Sequence, residues 1–234
     1  YFFFFFSFMK VVYLLDSLNR GGTEILALDV CKNAKANGLE LLFVATGDGT
    51  LEDDFSKSGV EFIRLNRRYP IDFKLVISLR NLIKSQEIDV IHAHQPVEAI
   101  HAYFATKGTK AKVVFSHHGF IPDKKNLFAL RFLLPRVHQN IVCSQSLLDW
   151  YKNDVKLNFP TNTKIINNGV DAKRLVFDDD NIRRELGLTE DSLLFGMIGN
   201  FYNAPRKDQL TICQALPKIF AEIPNSYSIF VGKT

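Results

Sequence analysis

KVVYLLDSLNRGGTEILALDV, residues 10–30, decides how the rest of the chain is read. Val11–Leu15 is apolar without alternation, the pattern of a strand buried on both faces. From Thr23 onward, Ile25, Leu28 and Cys31 fall at three-residue spacing, which predicts a helix to Asn37, stopped by Gly38. Gly21 and Gly22 sit at the handover. In open parallel α/β sheets, ligands bind beyond the carboxyl ends of the strands. A helix N-terminus there offers unpaired N–H groups to a phosphate. Glycines let a backbone approach a ligand closely and accept positive φ, and Thr23 is placed to cap the helix. Gly21 and Gly22 therefore read either as a phosphate or sugar contact or as a tight turn with no ligand. The spacing is not G-x-G-x-x-G, and no acidic residue ends the second strand, so a nicotinamide-dinucleotide fingerprint is absent.

The same alternation continues. Strands are predicted at 41–45, 61–65, 90–93, 112–116, 141–144 and 164–166. Helices are predicted at 51–58, 73–85, 97–106, 127–137 and 146–153. Short, wholly apolar strands separated by helices are the signature of a parallel sheet covered on both faces. The fold class is α/β. A second unit begins near residue 188, with a strand at 193–198, a helix at 208–222 bent at Pro217, and a strand at 228–231. Residues 9–187 are expected to form one complete domain and 188–234 the start of another, left incomplete where the chain stops.

The 234 residues are 47% hydrophobic and 23% charged, an ordinary globular composition. The net charge of +4 comes without a long basic run, so nucleic-acid binding is not implied. Cys31, Cys143 and Cys213 are far apart, form no C-x-x-C, and read as buried free thiols of a reducing compartment. The opening YFFFFFSF lacks a charged leader and is far shorter than the about 20 residues that span a bilayer. Met9-Lys10 reads as the natural beginning, with the Phe run an upstream remnant.

All six histidines fall between His92 and His138. His92 and His94 lie two apart at a strand end and face one side; His117 and His118 follow the next strand, before Gly119. Three readings compete: a metal-dependent hydrolase built on His92 and His94, structural histidines bonded to backbone, and ligand-binding histidines in a cleft. No G-x-S-x-G elbow supports a serine hydrolase.

The ordered motifs GGTE (21–24), DVIHAHQ (89–95), VVFSHHG (113–119), IVCSQSL (141–147), INNGVD (166–171), GMIGNFYNAPRKDQL (196–210) and SIFVGK (228–233) resemble the GT-B glycosyltransferases of family 4, retaining nucleotide-sugar enzymes. The resemblance implies two Rossmann-like domains facing across a cleft: a complete N-terminal, acceptor-side sheet and the first part of a donor-binding one. It implies transfer of a sugar from a nucleotide-sugar donor to a glycan, lipid-linked or polysaccharide-precursor acceptor, in the cytoplasm, with peripheral contact at the inner membrane face. It implies no cofactor and no metal, because protein cations neutralise the leaving diphosphate.

Matched by position, His118 is implied as the catalytic histidine beside the transferred sugar. Gly21, Gly22 and Lys207 are implied in donor binding, and His94, His117, Gly119 and Asn168 in the sugar or acceptor cleft. Two departures stand out. Gly199-Asn200-Phe201 replaces the usual Gly-Arg-Leu, which leaves Arg206 to stand in for the arginine, and Asp208 replaces a glycine. The family's Glu-x7-Glu motif would lie beyond Thr234, so the chain alone is expected to be inactive. A sugar-binding module without catalysis is the remaining alternative. The loops 66–73 and 121–128, with Arg67, Arg68, Lys124 and Lys125, are read as choosing the acceptor, their charges mostly solvated.

Overall fold

The computed structural model describes residues 9–119, 123–172, 182–201 and 208–232. The Phe-rich stretch at 1–8 lies outside them. Two compact units divide between Ala172 and Lys173.

The first unit carries one sheet of seven parallel strands: β1 (Lys10–Leu15), β2 (Glu40–Ala45), β3 (Glu61–Arg64), β4 (Val90–Ala93), β5 (Lys112–His117), β6 (Gln139–Val142) and β7 (Thr163–Ile165). Its helices are α1 (Gly22–Ala34), α2 (Glu52–Ser56), α3 (Phe73–Ser85), α4 (Pro96–Thr106), α5 (Lys124–Leu133) and α6 (Gln145–Asn153). The order β3-β2-β1-β4-β5-β6-β7 reverses direction between β1 and β4, with Tyr13 opposite His92. That reversal is the topological switch point of a doubly wound sheet, where a crevice opens at the strands' carboxyl ends.

Alternation along β1 feeds two cores. Val12 and Leu14 join α3, α4, α5 and α6 on one face. Tyr13 and Leu15 join α1 and α2 on the other, with Phe43 stacked on Phe55 at 4.0 Å. Ala99, Ala102 and Ala105 of α4 are fully buried, so that helix lies close against the sheet.

Several boundaries differ from the sequence reading, for local reasons. The α1 helix starts at Gly22 with Gly21 as its N-cap, and no side chain caps it, so Thr23 lies inside the helix. The α5 helix begins three residues early because the Asp123 carboxylate accepts the Asn126 N–H at 2.7 Å. Ser144 leaves the strand to cap α6, its hydroxyl accepting the Leu147 N–H. Polar Asn140 extends β6 backward because its buried amide donates to the Leu134 carbonyl.

The glycines that strain the strand-one turn are not the expected pair. Gly21 has an extended backbone, φ −144°, which any residue adopts, and a Cβ on Gly22 would meet nothing within 4 Å. The constraint sits in the β2–α2 loop. A Cβ on Gly47 would lie 2.2 Å from the Asp16 carbonyl oxygen, and one on Gly49 2.2 Å from the backbone of Leu18 and Asn19. The two loops lie backbone on backbone, with Leu18 N–H donating to Asp48 O and Leu51 N–H to Leu18 O.

Two acids hold the carboxyl edge. Glu98, 2% exposed, accepts N–H bonds from Asp16 at 2.6 Å, His94 at 2.7 Å and Gln95 at 3.0 Å, so it joins the end of β1 to the start of α4. Burial pushes its carboxyl up to about 8, against the pull of those backbone donors. Asp16 in turn accepts a bidentate bond from Arg67, with Nη2 2.8 and 2.9 Å from its two oxygens, and the Thr46 hydroxyl at 3.0 Å. Arg67, read from sequence as solvated, is thus a tie between the loops after β1, β2 and β3.

The second unit contains α7 (Ile182–Glu185), β8 (Leu193–Ile198), α8 (Gln209–Glu222) and β9 (Ser226–Val231), with β8 and β9 paired in parallel. Composition places the boundary at 187/188. The compact division is earlier, and the Arg183 guanidinium donates to Ser192 O, tying α7 to the approach of β8. Pro217 stands inside α8 without ending it. Asp208 caps α8, its carboxylate accepting the Thr211 N–H at 3.0 Å. Of the three thiols expected to be buried, Cys31 is, Cys143 is half-buried, and Cys213 is exposed on α8, a helix with no buried residue.

A Glu98→Gln variant keeps the size but turns one acceptor into an amide NH2 that must face a buried backbone N–H in either orientation. Above about pH 8, where the Glu98 carboxyl is ionised, its unfolding free energy in urea is expected to fall by about 1–3 kcal/mol.

Candidate functional site

A cavity of about 620 Å³ opens at the carboxyl edge of the first unit, beside the switch point. Its walls are one side of α1 from Leu26 to Ala34 with Asn37 just beyond it, the ends of β4 and β5, and the segment Ile166–Asp171 after β7.

Strand periodicity builds the histidine wall. His92 and His94 share a face of β4 with Tyr13 of β1; Ser116 and His118 share the matching face of β5. The His94 ring stacks on Tyr13 at 4.2 Å and lies 4.3 Å from His92. His92 Nε2 meets Ser116 Oγ at 2.7 Å. His94 Nδ1 meets His118 Nε2 at 2.9 Å. The buried histidines are held neutral: desolvation lowers His92 to about 4, with the neighbouring His118 adding to it, and takes His94 well below the ordinary range. Desolvation also lowers His118, which is half-buried.

This neutrality fixes what the pair presents. One proton lies between His94 Nδ1 and His118 Nε2. If His94 donates it, His118 carries its own proton on Nδ1 and His94 Nε2 is a bare acceptor. If His118 donates it, the roles reverse. In either state, His94 Nε2 and His118 Nδ1 together carry one donor and one acceptor, and neither has a hydrogen-bond partner among the described residues. Asn168 also lines the cavity.

The other expected residues are placed differently. His117 borders the cavity, but its ring belongs to the far face of β5, 4.1 Å from Phe115 and 5.2 Å from Phe159, with Nε2 at 3.2 Å from Asn140 Oδ1. Gly119 follows His118 with φ +77°, against Leu147 of α6, and is not among the lining residues. Gly21 and Gly22 do not line the cavity; the contributing face of α1 starts one turn later, at Leu26. Arg206 and Lys207 lie outside the described residues. Among the described residues, no group of three or more His, Cys, Asp or Glu is arranged to hold a metal ion. His101 and His138 are structural: His101 bonds Val97 O and the Asp72 N–H, and His138 Nδ1 accepts the Val113 N–H.

Sequence reasoning missed Tyr13, Ser116 and Glu98. Tyr13 was visible as the one polar-tipped residue in VVYLL, and Ser116 as the polar position two before His118. Glu98 stands three residues after the helix cap Gln95, the acidic half of a capping box with an uncommon partner.

Comparison with known proteins agrees with this architecture. The model of Glycosyltransferase Family 4 matches residues 20–174. The chain is 25% identical over 174 residues to the UDP-Gal:alpha-D-GlcNAc-diphosphoundecaprenol alpha-1,3-galactosyltransferase of Escherichia coli, over 69% of this chain and 44% of that protein. It is 23% identical over 237 residues to the capsular polysaccharide biosynthesis glycosyltransferase CapH of Staphylococcus aureus, over 96% of this chain and 62% of that protein. The chain thus spans about half the length of these relatives. Among solved structures, Anabaena Alr3699/HepE in complex with UDP and glucose superposes with a TM-score of 0.77 at 19% identity, covering 97% of this chain and 61% of that one. A glycosyltransferase from Rickettsia africae superposes with a TM-score of 0.73 at 16% identity, covering 95% and 68%. These are likenesses of fold, and they bear out the α/β, GT-B reading.

The depressed histidines give a pH dependence. Unfolded histidine takes up a proton below about 6.5, whereas His92 in the folded chain does so only near 4, so its contribution is full above 6.5 and is lost as pH falls through about 4. Acidification across that window is expected to cost the parent on the order of 3 kcal/mol more than a His92→Gln variant, read from urea midpoints at each pH.

Proposed function

The chain belongs to glycosyltransferase family 4, and from that premise we propose that it is the acceptor-side portion, with part of the donor side, of an enzyme that moves a sugar from a nucleotide-sugar to a glycan or lipid-linked acceptor. The observation that carries this reading is the complementary His94–His118 pair at the switch-point edge. Each ring has a further nitrogen that is shielded from bulk solvent and unbonded among the described residues, and burial holds both rings toward the neutral form, which suits a polar, uncharged group better than an ion.

In this reading, His118 touches the transferred sugar and orients it, and His94 is a positioning residue that sets the proton on His118. Glu98 fixes the backbone N–H of His94 at 2.7 Å and thereby the height of that ring over Tyr13. Asn168 lines the same cavity. Lys207, with Arg206, meets the donor diphosphate, whose charge grows as the glycosidic bond breaks. Those two residues directly precede the N-cap of α8, whose first-turn N–H groups favour an anion. Protein cations doing this work would leave no need for a metal. Gly21 and Gly22 begin α1 beyond the cavity, so a contact with the donor would be through the helix N-terminus. Retention of configuration follows from the family resemblance.

The two relatives named above are a UDP-galactose enzyme acting on a diphosphoundecaprenol-linked sugar and a capsular polysaccharide enzyme, and HepE holds UDP and glucose. UDP-hexoses and lipid-diphosphate-linked acceptors of cell-envelope polysaccharide are therefore the first substrates to test. No helix among the described residues is long and apolar enough to cross a membrane, and we place the reaction on the cytoplasmic side, where nucleotide-sugars are made. The hydrolase reading is not favoured, since the cavity histidines bond to one another and to Ser116.

The test is turnover in the polypeptide at its full natural length. A panel of UDP-sugars is expected to yield one productive donor, with the product anomer retained by NMR. His118→Ala is expected to lower kcat/KM at least tenfold, about 1.4 kcal/mol in barrier. Unchanged turnover would remove His118 from the site, and an inverted anomer would end the retaining assignment.

A further inference from the structure

Away from the cavity, His101 of α4 is fully buried, and its two ring nitrogens meet partners of opposite kind. Nδ1 lies 2.5 Å from the Val97 carbonyl oxygen, which can only accept, so Nδ1 carries the proton. Nε2 lies 2.9 Å from the Asp72 backbone nitrogen, whose N–H can only donate, so Nε2 is bare. These partners admit one neutral tautomer. A second proton would sit on Nε2, facing the Asp72 N–H, and would turn a hydrogen bond into a contact between two buried donors.

Asp72 is the pivot of its segment. Its carboxylate accepts the N–H groups of Lys74 and Leu75, capping α3, and that of Arg68 from the preceding turn. Residues 68–72 thus close into a short strap, and its far end is held by different chemistry. There the Arg67 N–H donates to Thr46 O, and the guanidinium clasps Asp16 and donates to Tyr69 O. A guanidinium keeps its charge throughout. Between the two anchors Tyr69 is 67% exposed and Ile71 45%, so the strap has little packing of its own.

The charged groups around the imidazole are Arg67 and Asp72 of the strap and Asp16 of the turn after β1. Along the apolar groove that His101 shares with α3 and α5, Arg80 donates to the Phe104 and Ala105 carbonyls and Lys107 stands over the Tyr103 ring. From α5 the groove receives Phe128, Ala129 and Phe132. On α4 itself, Glu98 is engaged with the backbone at the sheet edge. Burial holds the His101 ring below the ordinary histidine range, against the pull of the Val97 bond.

We propose that His101 is a pH-operated latch on residues 68–72: neutral, it holds the Asp72 backbone and keeps the strap closed on α4; protonated, it releases the strap, which swings on Arg67. The Val97 carbonyl keeps its bond in both states, so the ring stays in place and the strap is what moves. The hold is full above about pH 6.5, where unfolded histidine is also neutral, and is lost as pH falls through the lower value of the folded ring. The inference does not depend on the sugar-transfer reading, since it is measured without turnover.

The test is an NMR titration of this chain, from mildly alkaline pH down to the onset of global unfolding by circular dichroism. The His101 imidazole nitrogens are expected to report the Nδ1–H tautomer at the alkaline end and to titrate with a midpoint below about 6.5. Hydrogen-exchange protection of the Asp72 amide, corrected for its intrinsic rate, is expected to fall about tenfold per pH unit below that midpoint, one proton per opening. The Leu79 amide in the core of α3 should stay protected through the same range. His101→Gln offers an oxygen that accepts the Asp72 N–H without titrating, and is expected to abolish the pH dependence; His138→Gln should leave it unchanged. An Nε2–H tautomer at the alkaline end overturns the proposal. So does an Asp72 amide that stays protected while His101 titrates, or a His101 ring that remains neutral until the whole chain unfolds. The parent titration decides even if His101→Gln does not fold.

Discussion

The carboxyl edge of the sheet depends on two acids that accept from its own backbone. Parallel strands deliver their loops to one edge, but nothing in strand pairing holds those loops at a common height. Glu98 does so by receiving three N–H groups, two from the turn after β4 and one from the turn after β1. Asp16, whose N–H is one of the three, carries the tie onward through Arg67 and Thr46 to the neighbouring strands. Loss of an acceptor here leaves buried donors with no water to turn to, which costs more than a surface ion pair returns. The histidines of the cavity are side chains of that pinned backbone, and their spacing is inherited from it.

The histidine cluster stays neutral for the same reason that it stays ordered. His94 is sandwiched by Tyr13 and flanked by His92, and a proton on any ring would repel its neighbours in a site with little solvent. Burial therefore converts three adjacent bases into a set of donors and acceptors without net charge. Such a surface recognises a polar, uncharged group. The residues that the family resemblance matches to a donor diphosphate, Arg206 and Lys207, belong to the second unit of the chain.

Much of this was legible in the sequence because hydrophobic periodicity reports burial directly. Val11–Leu15, Phe73–Ser85 and Val90–Ala93 announced their class and nearly their ends, since apolar runs with clear breakers admit one interpretation. The residues that were harder to see are those whose importance comes from partners distant in the chain. Gly47 and Gly49 read as an ordinary turn, and only the loop after β1 pressing on them reveals why a side chain is excluded. Gly21 and Gly22 drew attention through adjacency, a local signal, and the structure gives Gly21 an ordinary extended backbone and Gly22 open space. Glu98 looked like a surface charge on a helix, because its three donors arrive from two separate turns. His117 and His118, adjacent in sequence, end on opposite faces of β5, and the side each takes depends on where the strand stops.

The backbone contact between the loops at 16–21 and 46–51 has a consequence for how this scaffold can change. With less than a van der Waals radius of slack at Gly47 and Gly49, neither loop can lengthen, shorten or shift while the other stays put. The pair is inherited as one mechanical part. Diversification of such a protein is therefore channelled away from this corner toward segments that touch nothing so closely, and a chimera that exchanges one loop must carry the other with it.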